Sequence, residues 1–182
     1  MTISPPALEE VLIVDEDDRP VGTAPRWRMR RDRLIHRASY ILVFNRDGEL
    51  FVQKRTTTKD IFPGYFDIAA GGVVLAGETY EQAARRELAE EMGVTAELVP
   101  HFTNYYADGT NRVWGKIFSC VHDGPFRLQA EEVESGCFLP ITAIEAMSAD
   151  HPFTPDGLIV LRRYLAGPDQ GRSGNRPRRG RS

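Results

Sequence analysis

The sequence predicts an α+β fold, a mixed β-sheet held between helices in an α/β/α sandwich. Three observations predict it. Short apolar segments with strand-like alternation fill most of the first 140 residues, one strongly patterned helix interrupts them after a glycine-rich turn, and two helical segments follow the last strand. Val11-Leu-Ile-Val-Asp15 reads as a strand, Glu16 to Pro20 as a turn, and Val21-Gly-Thr-Ala24 as the return strand, giving an N-terminal hairpin over 9–25. Segments 38–45 and 49–55 form a second hairpin around Arg46-Asp47-Gly48. A polar loop then runs to Phe62-Pro63-Gly64, and Phe66-Asp-Ile-Ala-Ala70 leads into Gly71-Gly72. Thr79 and Gln82 make a capping box that opens a helix, and Gly93 stands where its C-cap belongs. Segments 95–106 and 111–121 are strands joined at Asp108-Gly109-Thr110, and 133–139 is the last strand. Thr142 with Glu145 caps a short helix, and Thr154-Pro155-Asp156 starts a final helix ending near Leu165.

A chain of 182 residues is long enough for one domain with a real core, here 1–166, followed by an Arg/Gly/Ser/Pro-rich tail at 167–182. That tail cannot bury enough apolar area to order itself. Nothing approaches the roughly 18 consecutive apolar residues of a membrane helix. The N-terminus lacks a charged-then-apolar export signal, and two cysteines give no disulfide framework, so a cytoplasmic protein is expected. Cys120 and Cys137 both lie in apolar segments and read as buried free thiols. Five arginines against Asp169 give the tail +4, so of a net charge of −3 the rest carries −7. An acidic folded part suits a metal site and argues against a nucleic-acid groove.

Glu87, Glu90 and Glu91 lie within one turn of each other on the predicted central helix. At 100° per residue their carboxylates span an arc of about 100°, with Ala84, Leu88 and Met92 in the neighbouring sector free to face a core. Such a pattern alone is commonly a solvated face. Like charges at this spacing repel, and a hard divalent cation such as Mg²⁺ or Mn²⁺ turns the repulsion into ligation. Arg86, one turn before Glu90, is placed to orient that carboxylate, while Glu78 points away from the arc and reads as a helix-start acid favoured by the dipole.

Gly72, Glu78, Arg86, Glu87, Leu88, Glu90, Glu91, Gly93 and Val94 fill every defined position of the Nudix box, so the chain resembles a Nudix hydrolase. The resemblance implies hydrolysis of a diphosphate linked to another group, usually in a nucleoside diphosphate derivative. It makes Glu87 and Glu91 the main metal ligands, Glu90 the third carboxylate, and the carbonyl of Gly71 or Gly72 a further ligand. The resemblance implies a general base from either the box or a separate loop, and Glu132, just before the last strand, is the candidate for the loop. Arg55 and Lys54, closing a strand, are candidate phosphate contacts, and Tyr105 a candidate stacking surface. Nudix proteins are frequently homodimers, which implies the same option here.

Beyond the box, the N-terminal hairpin, His36, Lys54-Arg55 and the Phe62-Pro63-Gly64 loop resemble type 1 isopentenyl-diphosphate isomerase. Its cysteine position is occupied by Gly71, and its histidine positions by Val73 and Met29, so proton transfer to carbon lacks its acid. A non-catalytic Nudix sensor module is the other alternative, although such modules commonly lose box glutamates that this chain keeps.

Overall fold

The computed structural model describes residues 6–167, so the tail expectations lie outside the described residues apart from Gly167. The elements are β1 (Glu10–Val14), β2 (Pro20–Pro25), α1 (Arg26–Asp32), β3 (His36–Phe44), β4 (Leu50–Arg55), β5 (Phe66–Asp67), α2 (Tyr80–Met92), β6 (Val99–Ala107), β7 (Arg112–Val121), β8 (Val133–Leu139), α3 (Ile141–Asp150) and α4 (Pro155–Leu165).

β3 is the spine of the sheet. It runs parallel to β7 from His36 opposite Val113 to Phe44 opposite Val121, and β6 adds antiparallel to β7. On its other side β3 meets β1 at Ile13, and β2 continues the sheet. The turn Asn45–Glu49 forms as the Asp47-Gly48 signal predicts, with the Asn45 N–H donating to the Glu49 carbonyl at 3.0 Å. The two strands it joins do not zip into a hairpin, however. They pair only at Phe44 and Leu50, and β4 turns away to pair antiparallel with β8 and β5. The sheet therefore divides into two leaves, β2-β1-β3-β7-β6 and β5-β4-β8, joined at that point and by the chain after β5, whose residues 70–74 run antiparallel along β3.

Alternation along the central strands sorts the core into two layers. Ile41, Val43, Phe51, Phe118 and Cys120 face α2, where they meet Ala84, Leu88 and Met92. Leu42, Leu50, Val52 and Ile117 face the opposite way, onto Ile144 of α3 and Val160 and Leu161 of α4. The sheet is thus covered on both faces, as the sandwich expectation requires.

The capping of α2 is as read from the sequence. Thr79 Oγ1 accepts from the Gln82 N–H, the Gln82 side chain accepts from the Thr79 N–H at 2.8 Å, and Gly93 closes the helix at φ 70. The other helices depart from expectation. α3 starts after Pro140 with no side-chain cap, and Thr142 lies inside its first turn. At α4, Thr154 sits at the N-cap, but its hydroxyl donates to Asp67 Oδ1 at 3.0 Å instead of capping. α1 was not expected at all. It is a seven-residue, arginine-rich helix whose one buried side chain is Met29, too sparse an apolar pattern to read as helical. Cys120 is buried, and burial pushes its thiol up to about 11, whereas Cys137 stands in the exposed middle of β8. Among the described residues no helix is long and apolar enough to cross a membrane.

Leu88, 1% exposed, ties α2 to the sheet. Leu88→Ala is expected to lower stability by about 2–5 kcal/mol, measured as a reduced urea midpoint with an unchanged slope.

Candidate active site

Two glycines decide where the helix carboxylates come to rest. Gly71 has φ +141, and a Cβ there would overlap the Ser39 carbonyl oxygen, so only glycine fits. The bend turns the Gly71 N–H toward Glu91, which it meets at 2.8 Å. Glu91 also accepts from the Gln53 amide at 3.1 Å, and the same amide donates to the Ala69 carbonyl at 2.9 Å. Gly72 removes bulk from the other carboxylate: a Cβ there would stand 2.5 Å from Glu87 Oε1. Ser39 N–H donates to the Gly72 carbonyl at 2.9 Å, which leaves Gly71 as the better placed carbonyl for a cation.

Glu91 is 4% exposed. Burial, together with the charge of Glu87, raises its pKa to about 7 against the pull of Lys59. Burial raises Glu87 as well, while Arg86 pulls it down. A buried carboxylate and a part-buried one that opposes its ionisation fit a divalent cation, which would stabilise both charged forms at once.

Arg86 is the clamp of the site. Its Nε and Nη2 donate to the two oxygens of Glu78 at 2.8 and 2.9 Å, Nη2 also reaches the Val73 carbonyl at 3.0 Å, and Nη1 reaches Glu87 at 2.6 Å. Its bond to Glu90, at 3.2 Å, is the longest of the set, and the Glu90 side chain is 56% exposed. Arg86 therefore positions Glu87 first and Glu90 second. Burial alone would lower the Arg86 pKa, but its bonds to Glu78 and the charge of Glu87 raise it. Glu78 is corrected by this geometry. It locks Arg86 while accepting from the Leu75 N–H at 3.0 Å, so it acts through the guanidinium and not through the helix dipole. Glu87, Glu90 and Glu91 do not converge as a cage: among the described residues no three His, Cys, Asp or Glu side chains gather closely enough to hold a metal unaided. Glu87 and Glu91 remain the pair that fits, with Glu90 at the rim.

A cavity of about 260 Å³ opens beside Gly71 and Gly72. Arg55, Lys59, Glu131 and Glu132 line one wall, and Arg26, Arg30, His36, Tyr40, Asn111 and Asp156 line the more buried end. Lys59 ion-pairs with Glu132. Burial and the charge of Arg55 lower Lys59 to about 8, while Glu91 and Glu87 act in the opposite direction, so its ammonium lies in the field of both carboxylates. Arg55 donates to Asp67 at 3.2 Å and to the Ile61 carbonyl at 2.8 Å, which ties it to the loop it faces. The other two expected contacts fall elsewhere. Lys54 pairs with Glu134 at 3.0 Å, and Tyr105 stands exposed against Trp114 with ring centroids 5.3 Å apart; neither lines the cavity. Lys54 and Arg55 are neighbours on a strand and point to opposite faces, so only one of them can reach it. Met29 and Val73, at the isomerase's histidine positions, lie in an apolar cluster with Val11 and Ile13. His36 is buried, its Nδ1 on the Leu34 carbonyl at 3.2 Å, and burial with the nearby Arg30 pushes it down to about 3.

Sequence reasoning missed Gln53, Lys59, Arg26, Arg30 and Asp156. A glutamine directly after the apolar run of β4 was the readable signal for the first. Arg26 and Arg30, one turn apart, were hidden because α1 itself was not recognised.

A bent glycine segment that lines a cavity with arginines and a lysine, and has two carboxylates set directly behind it, suits chemistry on phosphate esters and anhydrides. The model of the NUDIX domain matches residues 34–162. The chain is 47% identical over 159 residues to the Nudix hydrolase PA4841 of Pseudomonas aeruginosa, covering 86% of this chain and 94% of that one. It is 44% identical over 158 residues to the Nudix hydrolase YfcD of Escherichia coli K12, covering 86% and 87%. The crystal structure of DR0079 from Deinococcus radiodurans superposes with a TM-score of 0.74 at 27% identity, covering 85% of this chain and 98% of that one. The chain belongs to the NUDIX domain family. It is accordingly a hydrolase acting on pyrophosphate bonds, in a family that generally uses divalent metal ions.

The raised pKa of Glu91 makes stability depend on pH in a defined direction. A carboxyl that titrates higher folded than unfolded contributes stability below its unfolded value of 4.5, and that contribution is lost as the pH rises toward about 7. In chelator-treated protein the melting temperature is expected to fall by several degrees between pH 5 and pH 8, and Glu91→Gln to flatten that slope, as read by calorimetry.

Proposed function

We propose that this chain is a Mg²⁺-dependent hydrolase, able also to use Mn²⁺, that cleaves a diphosphate linkage in a small molecule, a nucleoside diphosphate derivative being the substrate class. The observation that carries this reading is Glu91 and Glu87 set directly behind Gly71 and Gly72, which line a cavity that Arg55 and Lys59 also line. Glu87, Glu91 and the Gly71 carbonyl would hold the ion, which, when bound, offsets charge on the phosphate oxygens and raises the acidity of water.

The chain's own residues account for the rest. Arg86 holds Glu87 in place from Glu78 and keeps Glu90 at the rim. Lys59 and Arg55 offset the negative charge of the phosphates from the opposite wall. Glu132, paired with Lys59 on that wall, accepts the proton of the attacking water. The water oxygen bonds to one phosphorus, the bond from that phosphorus to the bridging oxygen breaks in line, and the second phosphoryl group departs with the electron pair. Lys54 and Tyr105 have no role in this reading. The isomerase alternative gains no support from Gly71 at its cysteine position or from Met29 and Val73 in an apolar cluster. A cytoplasmic setting and a homodimer, both expected from the sequence, belong to the same proposal.

The test is a Mg²⁺-supplemented screen of nucleotide sugars, dinucleotides, coenzyme A and nucleoside triphosphates. Turnover is expected with at least one class, and Glu91→Gln should reduce it by about a thousandfold or more. Tight nucleotide binding without turnover would instead favour a sensor, and conversion of isopentenyl diphosphate to its allylic isomer would restore the isomerase. Manganese-soaked crystals without density between Glu87 and Glu91 would overturn the metal assignment. Gly72→Ala separates stability from chemistry. Its Cβ displaces only the tip of Glu87, so the unfolding free energy should change by less than about 1 kcal/mol. Manganese affinity, followed by titration calorimetry, should fall about tenfold or more.

A further inference from the structure

We infer that the buried end of the cavity is a phosphoryl subsite centred on Arg30, with Arg26 beside it, and that it receives a substrate phosphate other than the one attacked. The hydrolase reading above supplies the identity of the substrate, but the subsite stands on its own geometry.

Arg30 projects from α1 into the cavity. Its Nη1 donates to Asn111 Oδ1 at 3.0 Å, and its Nε is buried without a hydrogen-bond partner. Among the described residues no carboxylate lies within 4.0 Å of it. Arg37, Arg55 and Arg86, part-buried like Arg30, each have a carboxylate within 3.2 Å: Asp18 at 2.7 Å, Asp67 at 3.2 Å and Glu87 at 2.6 Å. Arg30 is thus a part-buried guanidinium, its Nε shut off from solvent, whose partner is a neutral amide. A charge in that position is costly unless something else neutralises it.

The neighbours make the deficit larger. Arg26 lies close enough for its charge to oppose that of Arg30, and its own Nε is also buried and unpartnered. Its carboxylates, Glu9 at 3.3 Å and Asp60 at 3.9 Å, are held by Nη1 and loosely by Nε. Burial, followed by the charge of Arg26, pushes Arg30 down to about 10. His36, uncharged at neutral pH, occupies the same end without supplying a counter-ion. Asp156 lines the cavity too, but Tyr40 donates to its Oδ2 at 2.7 Å, which confines an anion to the α1 side. A guanidinium with a free donor and no carboxylate partner, beside a second whose Nε is also unbonded, matches a phosphoryl group, whose oxygens accept several hydrogen bonds at once.

Two sources share this chemistry: the terminal phosphate of the diphosphate itself, or a further phosphate on an ester arm of the substrate. The test begins without metal or turnover, so failure of the hydrolase reading leaves it intact. Inorganic pyrophosphate is titrated into the full-length, chelator-treated protein by calorimetry. Arg30→Gln is expected to weaken binding at least tenfold, and Arg30→Lys to recover part of the loss. Asn111→Asp places a carboxylate against Arg30 and should also weaken pyrophosphate at least tenfold while raising the melting temperature, an outcome that a purely structural Arg30 would not produce. It decides the matter even if Arg30→Gln fails to fold. Pyrophosphate affinity within twofold of the parent in the folded variants overturns the subsite.

Kinetics then separate the sources. If the terminal phosphate occupies the subsite, Arg30→Gln raises KM for nucleoside diphosphates and spares diphosphates esterified at both ends. If a further phosphate occupies it, the increase appears only with substrates that carry one. An unchanged KM across all three classes counts against the inference.

Discussion

Glu91 reaches the floor of the cleft from the last turn of α2, and its carboxylate is satisfied there by the Gly71 N–H and the Gln53 amide. Removing a carboxylate from water is tolerable only with such donors, and each of them constrains a separate part of the chain. The Gly71 bend has to run at φ +141 beneath Ser39. A buried glutamine has to follow the apolar run Leu50-Phe51-Val52 of β4. The helix has to stop at Gly93, where the Arg127 N–H takes the Met92 carbonyl. Three segments distant in sequence are thereby indexed to one side chain.

Arg86 performs the matching task from the outside. A planar fork with five donors can satisfy two oxygens of Glu78, the Val73 carbonyl and Glu87 together, which a lysine cannot do. The cost is that Glu90 receives the weakest bond and stays in solvent. Across the cavity Lys59 lies in the combined field of Glu132, Glu87 and Glu91. The site is therefore poised between carboxylates that resist ionisation and cations that offset them, an arrangement suited to admitting ions and phosphates in place of its internal pairs.

Much of this was legible because local rules and the box coincide. The capping box, Gly93 and the apolar sector of α2 needed only the helical period, and the placement of Glu87 and Glu91 followed from the same period. What escaped reading depended on long-range context. Loop length and turn residues suggested a hairpin from β3 to β4, yet each strand gives a whole edge to a partner much later in the chain, β7 for β3 and β8 for β4. Arg26 and Arg30 were invisible as a pair because α1 is held by a single apolar side chain, Met29. Lys54 was chosen with Arg55 on adjacency, although strand alternation sends the two to opposite faces. Glu78 was assigned to the helix end because nothing local reveals that a guanidinium eight positions on will fold back to meet it.

The junction at Phe44 and Leu50 bears on how the polypeptide acquires its shape. β3 meets residues 70–74 along one edge and β4 meets β5, but the other edge of each waits for the far half of the molecule, where His36 lies opposite Val113 and Leu50 opposite Leu139. An emerging chain that has made only its first hundred residues holds two apolar strands that each keep one edge open. Such topology favours late, concerted closure over stepwise zippering, and it places the interval of greatest aggregation risk before β8 is synthesised.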